Sequence, residues 1–319
     1  MSSDLERQMD LIFSHSGCLD GQCAVHILKK TSLSNPVIVW LHAGKLTVDE
    51  IKQRMTNRNV TRIFILDLSV SQDVFDYLVT LVDVDIRVFD HHEPRNYKTQ
   101  KERLDTTNES GTKLIWSNTL DKCASKLVWD YFFLNRYPPI VEYIDDRDRG
   151  VNKLPRTEEV LCAIHANVRT RGFEQVYDTF DADVYASQGV LLLADRKNRV
   201  EEILRQGYER TLKIGDQSFS VLLVTGDRSL RSDVHGKECK HDVSVFYTLD
   251  LKTKSLWLAW RSNKVDLVKL LSNVSWIENG TTYFGGGHPS AAGCTINESS
   301  KVGETPVNLL NWVDVFFEK

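Results

Sequence analysis

The sequence predicts an α/β protein, with a mostly parallel, doubly wound sheet followed by a smaller C-terminal α/β domain. The first half contains short runs that are almost continuously apolar, as in strands buried on both faces. Segments with apolar residues at helical spacing lie between these runs. Strands that alternate with helices are typical of a parallel sheet. With 319 residues, the chain is long enough for two domains.

Four apolar runs define the predicted strands of the first half. They are rich in Ile, Val, Leu and Phe and cover residues 9–15, 36–42, 62–68 and 85–91. The helices are predicted between them because apolar side chains recur every three or four positions, as at Val74, Leu78 and Leu81. These helical segments cover residues 21–30, 48–57 and 71–82.

The second half begins with helices and continues with strands. Residues 158–177 and 184–206 have helical patterns, and the second of these segments is increasingly charged. Strand-like runs follow at residues 218–226, 243–250 and 252–262. The last two runs are predicted to form a hairpin around a Lys-Thr-Lys turn.

These elements divide the chain into three predicted parts. We expect a first domain of residues 1–184, a connector helix of residues 185–212 and a second domain of residues 213–319.

The composition limits the partners of the chain. It has 40 basic and 44 acidic residues, a net charge of −4 and a pI near 6.2, so overall charge attracts neither long duplex nucleic acid nor an anionic membrane. The basic run at residues 228–241 is expected to be a solvated loop. Six scattered cysteines and a polar N-terminus favour a reducing, cytoplasmic location.

Polar side chains that can bind a ligand lie where the predicted strands end. They are Ser14, His15, His42, Asp67, Asp90, His91 and His92, with Asp20 in the loop after the first strand. In an open α/β sheet, the carboxyl ends of the strands meet at one edge, where binding sites form. Two adjacent histidines alone more often mark a strand end at a surface. Acids and imidazoles from several strand ends instead indicate a site for two divalent cations that clamp a phosphate.

A second candidate site lies near the C-terminus, at Gly285, Gly286, Gly287 and His288. Three glycines let backbone N–H groups approach an anion closely, and the histidine adds a donor. A plain tight turn is the simpler alternative. Arg261 ends a predicted strand and is a candidate phosphate ligand, with a solvated hairpin end as its alternative.

These motifs together resemble the DHH phosphoesterase superfamily, in its DHHA1 subgroup. The resemblance rests on Asp90-His91-His92, on an aspartate at the end of an earlier strand and on the C-terminal Gly-Gly-Gly-His. It implies a metal-binding DHH domain followed by a substrate-binding DHHA1 domain. Members include RecJ-type exonucleases, nano-RNases that also act on pAp, cyclic-dinucleotide phosphodiesterases and exopolyphosphatases. Most use manganese, so two Mn²⁺ ions are the expected cofactor, with Mg²⁺, Co²⁺ or Zn²⁺ as alternatives.

The resemblance also implies a ligand set for the two ions. His15 and Asp20 would be ligands from the first strand and the loop after it, Asp67 would bridge both ions, and His91 would bind the second ion.

Further roles follow from the same resemblance. In the acidic turn predicted at residues 143–150, Asp146 is the best match for the final metal carboxylate, and Asp148 is the second choice. Asp90 would orient a ligand through a hydrogen bond. His92 would face the scissile phosphate, as a charge-stabilising donor or a proton source for the leaving group.

One position departs from the family pattern. Many members carry an aspartate two positions before the residue that matches Asp20, where this chain has Cys18. The H-x-x-C-x-D-G branch of the superfamily is therefore more similar. A Cys18 thiolate that points into the first site favours Zn²⁺ or Fe²⁺ over Mn²⁺. A side chain that points away leaves the first ion only His15 and Asp67, and we expect this arrangement because buried cysteines more often pack than bind metal.

The resemblance implies a divalent-metal-dependent hydrolase that cleaves phosphoester bonds in a small phosphorylated substrate by metal-activated water. We expect short single-stranded oligonucleotides or a nucleotide such as pAp, with Arg261 and residues 285–288 holding the far end of the substrate across a cleft. The alternatives among enzymes are an exopolyphosphatase and a cyclic-dinucleotide phosphodiesterase. The alternative of another class is a catalytically inactive protein that binds a phosphate ligand.

Overall fold

The fold is that of a computed structural model. It describes residues 8–41, 46–92, 104–107, 112–134, 136–214, 216–235, 240–252, 254–272, 275–278, 281–284, 286–288, 290–297, 301–302, 305–306 and 313. His42, a polar residue at a predicted strand end, lies outside these ranges.

The first part of the chain forms the predicted doubly wound sheet. Its strands are β1 (Met9–His15), β2 (Val37–Leu41), β3 (Val60–Leu66), β4 (Asp85–Asp90), β5 (Leu104–Thr107) and β6 (Lys113–Asn118). Its helices are α1 (Leu19–Lys29), α2 (Val48–Met55), α3 (Gln72–Leu78), α4 (Ala124–Phe132), α5 (Pro139–Asp148), α6 (Thr157–Arg171), α7 (Phe173–Asp178) and α8 (Ala182–Arg205). In the order β2-β1-β3-β4-β6-β5, the first five strands are parallel and the edge strand β5 is antiparallel. The predicted fold class is confirmed.

Both faces of this sheet are buried, which explains why its strands are almost continuously apolar. Ile12 of β1 packs in a core that includes residues of α1 and α4 to α7. Its neighbours Leu11 and Phe13 pack in a second core with residues of α2 and α3. Successive side chains of a strand point to opposite faces, so both sets must be apolar when helices cover both sides.

Two segments differ from the sequence prediction. The helix expected over residues 158–177 is divided into α6 and α7 at Gly172, whose φ of 81° is left-handed and ends the first helix. The acidic segment at residues 143–148 is the last part of α5 rather than a turn. Its aspartates therefore point in directions set by helical geometry.

The C-terminal part forms the predicted smaller α/β domain. Its larger elements are β7 (Tyr208–Ile214), β8 (Gln217–Thr225), α9 (Arg231–Val234), β9 (Val243–Asp250), β10 (Ser255–Arg261), α10 (Leu267–Ser272), β11 (Ser275–Glu278), β12 (Thr281–Phe284), β13 (Gly286–His288) and β14 (Ala291–Asn297). Two short strands follow, β15 (Lys301–Val302) and β16 (Thr305–Pro306). A mixed sheet has the order β13-β14-β10-β9-β8-β7, and a smaller sheet has the order β12-β11-β15-β16. Strands β9 and β10 form the expected hairpin.

The chain divides into two compact units, residues 1–193 and 194–319. The division falls within α8, and β7 begins inside the segment predicted as a connector. The domain boundaries predicted from the sequence stay predictions. Among the described residues, no helix is both long enough and apolar enough to cross a bilayer.

Candidate metal centre

The backbone brings five polar side chains to one edge of the first sheet. His15 ends β1, Asp67 follows β3, and Asp90 ends β4 directly before His91 and His92. Strands β1, β3 and β4 are parallel neighbours. Their carboxyl ends therefore lie side by side, as the sequence predicts.

Asp67 has a strained backbone at the centre of this edge. Its φ of 55° lies in the left-handed region, which few residues other than glycine adopt and which aspartate tolerates better than most. Its N–H donates to the carbonyl oxygen of Phe89 at 2.9 Å, and its side chain is buried. The fold thus holds a buried carboxylate where β3 ends, and strain of this kind is concentrated at functional sites.

A first group of ligand atoms comes from His15, Cys18 and Asp67. Nδ1 of His15 lies 3.3 Å from Oδ2 of Asp67, and Sγ of Cys18 donates to the same oxygen at 3.0 Å. The three ligand atoms lie within 4.8 Å of one another. Cys18 thus points into this group, whereas the sequence alone favours a side chain that points away.

A second group surrounds His91. Its Nε2 lies 3.0 Å from Oδ2 of Asp148, 3.3 Å from Oδ1 of Asp67 and 4.0 Å from Oδ2 of Asp20. Asp67 therefore presents Oδ2 to the first group and Oδ1 to the second. This is the position that a carboxylate bridging two ions would need.

Burial and neighbouring charges shift the pKa values of this second group. Burial and the nearby carboxylates of Asp67 and Asp148 raise the pKa of Asp20 to about 7. Burial lowers the pKa of His91, but hydrogen bonds with Asp148 and Asp67 outweigh it and raise this pKa to about 11. Burial raises the pKa of Asp67, whereas hydrogen bonds with His15 and His91 hold it well below its ordinary value. A protonated imidazole thus supplies the positive charge that the converging carboxylates require.

Asp90 orients His92. The Nδ1 of His92 donates to Oδ1 of Asp90 at 2.7 Å, and the Asp90 side chain is buried. Asn118 donates through Nδ2 to the carbonyl oxygen of His92 at 3.0 Å. The hydrogen bond with Asp90 raises the pKa of His92. Because Asp90 engages Nδ1, Nε2 is the ring nitrogen that can face a ligand.

Asp148, the second choice from the sequence, lies at the second group, and Asp146 does not. Asp146 accepts hydrogen bonds from the backbone N–H groups of Lys153 at 2.8 Å and Leu154 at 3.1 Å. It also accepts one from Oγ1 of Thr157 at 2.6 Å. Residues two positions apart in a helix are rotated by roughly 200° about its axis. The helical conformation of α5 is therefore the reason that only one of the two acids reaches the cluster.

Two features place the start of α1 close to the carboxyl edge of the first sheet. The Asp20 carboxylate accepts hydrogen bonds from the backbone N–H groups of Ala124 at 2.7 Å and Ser125 at 2.9 Å, at the N-terminus of α4. A helix N-terminus is a favourable partner for negative charge. A Cβ atom at Gly21 would lie 2.7 Å from the carbonyl oxygen of His15, so only glycine allows this close approach.

The donor set fits divalent cations. Carboxylates balance their charge, imidazoles complete the coordination, and a cation relieves the repulsion that raises the pKa of Asp20. One ion would be held by His15, Asp67 and the adjacent Cys18. The ligand atoms of Asp20, His91 and Asp148 lie within 4.8 Å of one another and would hold a second ion, with Oδ1 of Asp67 at 3.3 Å from Nε2 of His91.

The predicted phosphate-binding residues belong to the C-terminal unit. Gly285 lies outside the described residues, and residues Gly286–His288 form β13, a strand rather than a tight turn. Arg261, the last residue of β10, pairs with Ala291 of β14, and His288 pairs with Ala291 from the other side. Arg261 and His288 thus occupy one row across the sheet.

Arg231, which the sequence does not single out, lies near Arg261. Its guanidinium lies 5.6 Å from the ring centroid of Trp257. Burial and the positive charge of Arg231 lower the pKa of Arg261. Arg261 donates to the carbonyl oxygen of Trp260 at 2.9 Å. Within the described part of the chain, neither guanidinium forms an ion pair with a carboxylate.

His235 is a second residue that the sequence does not single out. It is buried, and its Nδ1 lies 2.6 Å from Oγ of Ser244, the register partner of Arg261 in β9. Its Nε2 is buried without a hydrogen-bond partner among the described residues. The basic run at residues 228–241 is expected to be a solvated loop, but part of it therefore packs beside Arg261.

Solved structures resemble this fold, although no protein-family model and no curated protein matches the sequence. The DHH domain of a member of a ribosomal protein family matches with a TM-score of 0.52 and 14% identity, over 92% of this chain and 82% of that chain. Exonuclease RecJ bound to manganese matches with a TM-score of 0.49 and 13% identity, over 92% of this chain and 86% of that chain. The pGpG-specific phosphodiesterase PggH from Vibrio cholerae matches with a TM-score of 0.46 and 15% identity, over 91% of this chain and 93% of that chain.

The first of these likenesses shows a common fold. The DHH resemblance predicted from the sequence is thereby confirmed at the level of the fold.

Proposed function

We propose that this chain, which has the fold of the DHH superfamily, is a divalent-metal-dependent phosphohydrolase. The observation that supports this most is the Asp67 carboxylate, whose two oxygens face two different groups of ligand atoms. Two ligand groups that share one carboxylate suit a pair of metal ions, and such pairs are used to cleave phosphate esters.

In this proposal His15, Asp20, Asp67, His91 and Asp148 hold two ions, with Mn²⁺ as the first choice and Mg²⁺, Co²⁺ or Zn²⁺ as alternatives. When bound, the ions would polarise the phosphoryl oxygens and lower the pKa of water. The hydrogen bond from the Asp67 N–H to Phe89 keeps the shared carboxylate in place. The N-terminus of α4 does the same for Asp20.

His92 is the proposed general acid. Its hydrogen bond with Asp90 raises its pKa, which shifts the ring toward the imidazolium form. The Nε2 proton would go to the leaving oxygen as the P–O bond breaks. Asp90 accepts from Nδ1 throughout and sets the orientation of the ring.

The substrate is proposed to be a small phosphorylated molecule, such as a short single-stranded oligonucleotide or pAp. Arg261 and Arg231 support this, because neither guanidinium has a carboxylate partner among the described residues, and such groups suit a phosphate. The net charge of −4 disfavours long nucleic acid. Exopolyphosphatase and cyclic-dinucleotide phosphodiesterase activities would need the same metals and remain alternatives.

One panel of substrates with Mn²⁺ tests the proposal. Labelled dinucleotides to longer strands, pAp, cyclic dinucleotides, polyphosphate and pyrophosphate would be compared, with products separated by chromatography. We expect substrates of a few nucleotides to be preferred over long strands. Faster processive digestion of a long single strand would contradict the small-substrate proposal.

A metal-site variant is the control for this panel. The panel also tests whether the chain is a catalytically inactive protein that binds a phosphate ligand. The Asp67→Ala variant should lose bound metal as well as turnover, since the shared carboxylate serves both groups. Binding of these ligands without turnover, by wild-type protein loaded with metal, would favour a catalytically inactive phosphate-binding protein.

A further inference from the structure

We propose that Cys18 is a metal ligand, and that the site formed by His15, Cys18 and Asp67 prefers Zn²⁺, Co²⁺ or Fe²⁺ to Mn²⁺ or Mg²⁺. The inference rests on the proposed function in one respect, since it concerns the same metal centre. It replaces Mn²⁺ as the first choice at this site only, because the second group contains carboxylates and an imidazole and no sulfur.

The distances around Cys18 suit a shared ion. Its Sγ lies 3.0 Å from Oδ2 of Asp67, and Nδ1 of His15 lies 3.3 Å from the same oxygen. Ligands that each bond one ion at about 2.0–2.3 Å have separations of this size. The thiol of Cys18 donates its proton toward the Asp67 carboxylate.

The position of Cys18 at the start of α1 is a second observation that favours sulfur as a ligand once a cation has displaced its proton. Its sulfur accepts hydrogen bonds from the backbone N–H groups of Asp20 at 3.2 Å and Gly21 at 3.4 Å. Helix N-termini stabilise thiolates, since their N–H groups and dipole point toward the sulfur. Among the described cysteines, Cys18 alone belongs to a group of ligand atoms that could hold an ion.

The chemistry of sulfur determines the preferred ion. Thiolates are soft ligands and favour Zn²⁺ or Fe²⁺, whereas Mn²⁺ and Mg²⁺ favour oxygen. A bound cation stabilises the thiolate form of a coordinating thiol. On binding, the S–H bond of Cys18 breaks, a sulfur–metal bond forms, and the proton leaves to water. No oxidant or reductant takes part in this exchange.

Cobalt titration of the metal-free protein tests the inference directly. Wild-type protein should show a thiolate-to-cobalt charge-transfer band in the near ultraviolet, and Cys18→Ser should lose it. Serine can still cap α1, so the variant should fold, which circular dichroism would check. Cys162→Ser, on α6 and outside the ligand groups, is the matched control and should keep the band.

Metal affinities provide a second measurement. Loss of a residue that only supports a metal ligand typically lowers metal affinity by about 10–100-fold. Cys18 is proposed to bind the metal directly, so Cys18→Ser should weaken Zn²⁺ binding by at least about tenfold. Cys18→Asp should shift the preference toward Mn²⁺, because it supplies a hard carboxylate oxygen. Zn²⁺ affinity and cobalt spectra that are the same in wild type and Cys18→Ser would show that Cys18 only caps α1.

These measurements need no substrate, so they separate this inference from the proposed function. A cysteine-dependent cobalt band in a protein that cleaves none of the tested substrates would support the ligand and contradict the hydrolase. A wild-type protein that turns over substrate but shows no charge-transfer band would refute the ligand, even if no Cys18 variant folds.

Discussion

Asp146→Ala should destabilise the N-terminal unit and leave metal binding intact. The Asp146 carboxylate is buried and accepts three hydrogen bonds, at 2.8, 3.1 and 2.6 Å. At about 1 kcal/mol for each bond, the loss is about 3 kcal/mol. For a unit of this size, that lowers Tm by about 6–12 °C. Thermal unfolding of the metal-free protein, followed by circular dichroism, measures this change.

Asp148→Ala should have the opposite effects. Its loss removes a hydrogen bond with His91 but also a repulsion that raises the pKa of Asp20, so the Tm should change by less than about 3 °C. Mn²⁺ affinity should fall by more than about tenfold in calorimetric titrations, since a proposed ligand is lost.

The control for this pair is Thr157→Val, which removes one of the three hydrogen bonds to Asp146. It should lower Tm by about 2–4 °C and keep normal Mn²⁺ affinity. Metal loss in Asp146→Ala with an unchanged Tm, or normal metal binding in Asp148→Ala, would refute the assignment.

Three other perturbations test the centre. Asp90→Asn should lower kcat by about 100-fold and return the pKa of His92 toward its ordinary value, with Mn²⁺ content unchanged; a pH–rate profile that matches wild type would contradict this role. Mn²⁺ affinity should rise with pH, because binding displaces protons from Asp20, with a pKa of about 7, and from His91, with a pKa of about 11. The rise should be about tenfold per pH unit above pH 7, where only His91 still releases a full proton, and steeper below; titrations that show no dependence on pH would exclude this displacement. Gly21→Ala should cost about 1–3 kcal/mol, because the new Cβ would meet the carbonyl oxygen of His15 at 2.7 Å; an unchanged Tm would show that α1 can move away.

The sequence by itself determined the fold class and the edge at which the site lies. Continuous apolar runs such as residues 62–68 could be recognised because helices cover both faces of the sheet, so neither face of a strand can be polar. The acids and histidines that follow these runs were placed together by topology alone. Parallel neighbours end at the same edge, which is why His15, Asp67 and Asp90 could be predicted to converge.

Only the tertiary structure decided which neighbouring side chains belong to the site. Asp146 and Asp148 are the same residue type two positions apart. The helical conformation of α5 turns their side chains in different directions. Cys18 points toward Asp67 because α1 begins beside β3, a contact across 49 residues of sequence. Arg231 and His235 lie in a basic run whose local pattern resembles a surface loop, and packing against β9 and β10 brings them to Arg261. Local patterns encode the period and burial of an element, whereas the direction of one side chain depends on contacts with residues far away in the chain.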